Sequence, residues 1–361
     1  MPTTRAARRA ARCLTEVLPA DALGLVLYQL PLAHDIAEVA PTCHALCDAA
    51  KLAQKLRPFS DDVVALQGHA GALYGVAALP DGRVITSSFD KTLKLWRDGA
   101  CVRTINAHTG LIWSVKALPD GRFLTGSVDR TAKLWQPDGT LERTFEIGKI
   151  VLCIAVLPDG VHVALGVAEG SDDEACGEIW LYHVDGTLVH KFEGHSDEVW
   201  SVAVTPDGQH IISGSEDETV KVWSVASKSL VSTCREHSGR VAAVAATPDS
   251  QRILSGAEDF TVQVWLLDGT HESTFDELHD EGVNDLVALP DNQHALSASN
   301  DGTVQLFNIN DGAVLRTFKH FDFFWSCVTS LALLPDGLRF VSGGADDTVR
   351  IFEHGLVPLS A

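Results

Sequence analysis

A Pro-Asp pair preceded by Leu or Thr returns seven times along this 361-residue chain, at Pro80, Pro119, Pro158, Pro206, Pro248, Pro290 and Pro335, and no other feature limits the fold as much. The intervals are 39, 39, 48, 42, 42 and 45 residues, so the chain from about residue 60 onward divides into seven similar units. Periods of this size mean stacked supersecondary units, each too small to bury its own apolar surface. Within a unit, as from Gly194 to Trp223, short β-branched and apolar runs alternate with Pro-Asp-Gly and Asp-x-Thr turns. That is strand and turn chemistry, with room for four strands per period. One four-stranded sheet cannot cover both its faces; sheets stacked around an axis cover one another and leave only short edges.

A polar set recurs with the same regularity. His69/Thr86/Asp90/Trp96, His108/Thr125/Asp129/Trp135, His195/Ser213/Asp217/Trp223 and His237/Ser255/Asp259/Trp265 are four copies of it, and His279/Ser297/Asp301/Phe307 and His320/Ser342/Asp346/Phe352 repeat it with phenylalanine last. Histidine, hydroxyl and carboxylate are the ingredients of acyl transfer. An enzyme needs one special constellation, however, and six equivalents argue for a structural role, so no catalytic residue is expected.

The His, Asp-x-Thr and aromatic order resembles the WD-repeat family over most of the chain. The resemblance implies an all-β fold, a seven-bladed β-propeller spanning 61–355, preceded by a small helical segment. It also implies that each indole N–H donates to the hydroxyl, the hydroxyl reaches the histidine, and the histidine donates to the aspartate. Phe307 and Phe352 lack that N–H, so blades six and seven should be held less tightly. The third unit departs further: Ile147 stands at the histidine position, Tyr182 replaces the tryptophan, and an acidic insertion replaces the Asp turn. Strands near 328–333, 339–343 and 348–352 supply only three members of the last blade, and residues 62–66 read as the missing outer strand that closes the ring.

The Gly-His loops and Asp turns should share one end of every blade, and by family resemblance protein partners bind that face. The residue after the first core position of each inner strand is Tyr74, Trp113, Leu152, Trp200, Ala242, Asn284 and Thr329. Before the Asp turns stand Phe89, Val128, Glu216, Glu258, Asn300 and Ala345. Tyr74, Phe89, Trp113, Trp200, Glu198, Glu216, Arg240 and Glu258 are therefore the expected partner-binding residues, either as interface anchors or as rings packed across the channel. Only Arg240, Lys91 and Arg130 add positive charge there. A phosphopeptide site gathers several arginines, so an unmodified, apolar or basic target segment is expected.

Charge points the same way. The formal net charge is -20, and residues 1–60 carry seven Lys/Arg against five Asp/Glu, which leaves about -22 on the remainder. Such a body disfavours nucleic acid and anionic membrane. No apolar run approaches the ~20 residues that span a bilayer. Eight scattered cysteines form no disulfide framework, as expected of reduced thiols in the cytoplasm or nucleus. Neither a metal nor a cofactor is expected. Cys43, His44 and Cys47 lack the rest of a zinc site. The acidic run Glu169, Asp172, Asp173, Glu174 and Glu178 lacks calcium-loop spacing and reads as a solvated loop.

The first 60 residues read differently. Arg5, Arg8, Arg9 and Arg12 make residues 1–13 a basic tail, with a transit peptide or nuclear-localisation patch as other readings. Across 14–57, Leu23, Val26, Leu27 and Leu30 follow helical spacing up to Pro31, and Asp35 can cap a second helix through Ile36 and Val39. The order Leu18, Pro19, Leu23, Leu27, Leu30, Pro31, Ile36 and Val39 resembles the F-box, a helical motif that docks on the Skp adaptor of cullin ubiquitin ligases. This resemblance implies adaptor binding through residues 18–50 and makes the chain a substrate receptor of a Skp-cullin-F-box ligase. The alternative is a WD-repeat scaffold for multiprotein assembly in signalling, trafficking or chromatin, with the helices as a structural cap.

Overall fold

The computed structural model describes residues 64–169, 177–320 and 327–356. The basic tail, the F-box-like segment with all its expected adaptor-binding residues, and residues 170–176 of the acidic insertion lie outside the described residues. Residues 63–352 belong to one compact unit. Every regular element described in it is a β-strand, and the strands form seven four-stranded antiparallel sheets.

Blade one is typical, with strands Leu73–Ala78, Val84–Ser88, Thr92–Arg97 and Ala100–Asn106 in order from the axis outward. Burial falls along the same direction. All five residues of Val84–Ser88 are buried, Thr92–Arg97 alternates, and only Ile105 of Ala100–Asn106 is buried. The inner strand of each blade lies against that of the next, and blade seven's lies against blade one's, so the ring is closed.

Closure joins the two ends of the repeat region. Val64–Gln67 pairs antiparallel with Thr348–Glu353, from Val64 opposite Ile351 to Gln67 opposite Thr348, and completes the sheet of blade seven. Of the expected 62–66, residues 64–66 lie in this strand, which runs on to Gln67; Leu66 turns inward at 2% exposure while Val64 stands 45% exposed. A second tie forms at the axis. The Thr329 hydroxyl donates to the Leu73 carbonyl, and the Val76 N–H donates to Ser330 Oγ at 3.2 Å.

Adjacent blades approach so closely that some positions admit no side chain. A Cβ built on Gly256 would lie 2.5 Å from Val283 Cγ1 of the next blade, and one on Gly214 would lie 2.6 Å from Val241 Cγ1. Overpacking of this kind costs about 1–3 kcal/mol. Gly256→Val should therefore destabilise the fold by an amount near the top of that range, read as a lower urea midpoint, and an unchanged midpoint would show that the blades can part at no cost.

The recurring polar set holds each blade's turn. In blade two, Trp135 Nε1 donates to Thr125 Oγ1 at 2.9 Å, Thr125 Oγ1 meets His108 Nε2 at 2.8 Å, and His108 Nδ1 meets Asp129 at 2.9 Å. Blades one, four and five repeat this chain, and blade six repeats it without the indole. In blade seven the ring of His320 is reversed, with Nδ1 on Ser342 at 2.7 Å. Burial drives four of the imidazoles towards neutrality: it pushes His108 down to about 4 against the pull of Asp129, and lowers His69, His195 and His320 as well. Burial opposes ionisation of the aspartates, but the hydrogen bonds they accept outweigh it and hold Asp90, Asp129 and Asp259 at about 2.

Blade three replaces this chain with apolar packing. Ile147, Trp180 and Tyr182 join one buried cluster with Phe145 and Val151. Lys149 holds Glu169 at 2.6 Å and Glu178 at 3.1 Å, while Glu178 accepts the Trp180 N–H and Lys191 caps that indole at 3.7 Å. Two members of the acidic run are thus tied to a lysine rather than free in solvent.

Candidate functional site at the mouth of the ring

All seven inner strands carry a β-bulge at the same place. Leu73 pairs with Ser88 and Gly75 with Ser87, so Tyr74 has no residue opposite it. Trp113, Leu152, Trp200, Ala242, Asn284 and Thr329 are skipped in the same way. A bulge re-aims its extra side chain. Repeated seven times around an axis, it sends one residue from every blade into a shared cavity of about 620 Å³ that all seven line.

What fills the mouth depends on the blade. Phe89 stacks on Tyr74 at 4.3 Å between centroids, Trp113 meets both edge-on at 5.3 and 4.6 Å, and Trp200 meets Trp113 edge-on at 5.5 Å. Blade three contributes only Leu152, so the arc from blade two reaches across to blade four. Each ring remains partly exposed. The rings pack on one another, as the channel-packing expectation has it, and still present surface.

Blades four and five add an ionic sector. The Arg240 guanidinium lies 4.3 Å above the Trp200 ring, 2.5 Å from Glu258 and 3.6 Å from Glu216. The Glu198 carboxylate makes no hydrogen bond or ion pair among the described residues. Burial, with Asp197 and Glu216 nearby, raises its pKa despite Arg240. Burial raises Glu216 too, against the pull of Arg240 and with Glu258 and Asp197 adding to it. The Trp200 indole N–H is enclosed without an acceptor at full hydrogen-bond geometry, although Glu216 lies near enough to feel it. On the far side, Asn284 Nδ2 donates to Asn300 Oδ1 at 2.8 Å and to the Val328 carbonyl at 2.9 Å.

The structure brings together Tyr74, Phe89, Trp113, Trp200, Glu216, Arg240 and Glu258 in one continuous chain of contacts, with Glu198 beside them. Lys91 and Arg130 sit apart, exposed in the Asp turns with φ of 68° and 66°. Sequence reasoning missed a deeper layer, the residue immediately after each bulge. Asp285 Oδ2 accepts the Leu331 N–H at 2.7 Å and Ser201 Oγ accepts the Val244 N–H at 3.1 Å, so these side chains bind the inner strand of the next blade. Their signal was available as a small or polar residue, Gly75, Ser114, Cys153, Ser201, Ala243, Asp285 or Ser330, directly behind each rim position.

A family model described as "WD domain, G-beta repeat" matches residues 61–97, 99–136, 186–224, 228–265, 269–308 and 312–353, more than half of the chain. The chain belongs to the WD-repeat family. The matches pass over 137–185, the stretch where this WD-repeat propeller has lost its histidine, tryptophan and Asp turn. They begin at residue 61 and include none of residues 18–50, which carry the F-box resemblance. Among curated proteins, ribosome biogenesis protein BOP1 homologs of Drosophila grimshawi and Drosophila ananassae are each 48% identical over 42 residues, and that of Drosophila melanogaster is 45% identical over the same length. Each match covers 12% of this chain and 5% of the relative, about the length of one repeat. Among the described residues no helix is long and apolar enough to cross a membrane, and no group of three or more His, Cys, Asp or Glu could hold a metal.

Proposed function

We propose that this WD-repeat propeller is a non-catalytic scaffold that docks protein partners on the mouth of its ring. The observation that supports it is the coincidence of seven bulges, which gathers the partly exposed rings of Tyr74, Trp113 and Trp200, with Phe89 stacked on Tyr74, at one end of the axis. Aromatic anchors in a part-formed pocket are the side chains that dominate protein interfaces. The repeated His-Ser/Thr-Asp sets are spent inside the blades and offer no unique nucleophile. The receptor reading draws on residues 18–50 alone, whereas the scaffold reading draws on the propeller itself. The likeness to ribosome biogenesis proteins extends over a single repeat and supports the repeat rather than their role.

Trp113→Ala combined with Trp200→Ala should reduce recovery of co-purifying partners about thirtyfold, the effect of losing about 2 kcal/mol at an anchor. Leu230→Ala with Val231→Ala, on the exposed outer strand of blade four, should leave recovery unchanged. Equal loss in both variants, or none in the first, would refute docking at the mouth.

A further inference from the structure

The ionic sector holds more negative charge than it neutralises. Asp197, Glu198, Glu216 and Glu258 crowd one side of the mouth, and among the described residues Arg240 is the one cation paired with any of them. Arg240 is already committed to Glu258 and to the Trp200 face, which leaves Glu198 partly buried with no partner among the described residues. An unpaired carboxylate removed from water is unfavourable unless a cation arrives. Arg240 itself demonstrates the chemistry that this place supports: a guanidinium lying on an indole with carboxylates at its edge.

We propose that the mouth selects a partner segment bearing arginine or lysine, whose cation is held between Glu198 and Glu216 while its neighbours lie on the Trp113 and Trp200 rings. This rests on docking at the mouth and adds the charge of the occupant. The surplus of about -22 on residues 61–361 draws such a segment in from a distance and repels an acidic or phosphorylated one. Two different contributions are therefore separable. The rings supply affinity for any peptide with apolar bulk, and Glu198 with Glu216 supply discrimination for the cation.

The test uses the full chain and a random dodecapeptide library displayed on phage. Peptides retained by the wild type should be enriched at least fivefold in arginine and lysine over the input. That enrichment should vanish for Glu198→Gln with Glu216→Gln, substitutions that keep shape and remove charge. A selected peptide remade with citrulline in place of its arginine should bind at least tenfold more weakly by fluorescence anisotropy. Neutral or acidic peptides, lost with Trp113→Ala and Trp200→Ala but indifferent to the glutamine variant, would overturn the cation inference and leave docking intact. A selected pool indifferent to both variants would overturn both.

Discussion

Leu66→Asp should destabilise the propeller by about 4 kcal/mol, whereas Val64→Asp two residues earlier should change it by less than about 0.5 kcal/mol. The two positions sit on opposite faces of the closing strand, and only Leu66 is buried, against Leu73, Val341 and Val349. A charge forced into that cluster breaks the seam between blades seven and one. In a ring each blade supports its neighbours on both sides, so an open seam removes support from two blades at once. Urea unfolding measures the loss. Similar midpoints for the two variants would mean that Val64–Gln67 is an ornament on blade seven rather than the clasp of the ring.

Acid should unfold the protein earlier than its carboxylates alone would require. His69, His108, His195 and His320 are kept neutral by burial, so their pKa values in the fold lie below the ordinary value of 6.5. The unfolded chain then binds more protons, and stability falls as the pH drops from 6.5 towards 4. His108, at about 4 in the fold, contributes about 3 kcal/mol of loss by pH 4, and His69, His195 and His320 act in the same direction. The aspartates add a second stage. With Asp90, Asp129 and Asp259 held at about 2, their contribution is complete above pH 3.8 and disappears as the pH falls through 2. Urea midpoints at pH 7, 5.5 and 4 should decline throughout. A flat profile between 6.5 and 4.5 would show that the imidazoles are charged in the fold.

The ring was readable from residues because its punctuation is chemical. Pro-Asp-Gly and Asp-x-Thr turns recur where the backbone needs them, and the histidine to aspartate interval repeats because one histidine to aspartate hydrogen bond is built five times. The outer strands were harder to place. Ala100–Asn106 buries only Ile105, so packing imposes almost no pattern on it, and the closing strand showed only its apolar side. The rim residues were legible from register, since each follows the first buried residue of an inner strand. What they do there was not. The bulge that aims them is a property of pairing between strands, and the contact from Trp113 to Trp200 depends on how little Leu152 fills between them. Lys149, which ties down two glutamates of the acidic run, gave no warning because its partners lie 20 and 29 positions away.

Hydrogen exchange on the chain with and without a bound partner tests the account most directly. Docking at the mouth requires new protection in the loops leading to the bulges, at 71–74, 110–113, 196–200 and 238–242, with the Pro-Asp turns and outer strands unchanged. Protection centred on the turns around Pro80, Pro119 and Pro206, or along the outer strands, would place the partner elsewhere and contradict it.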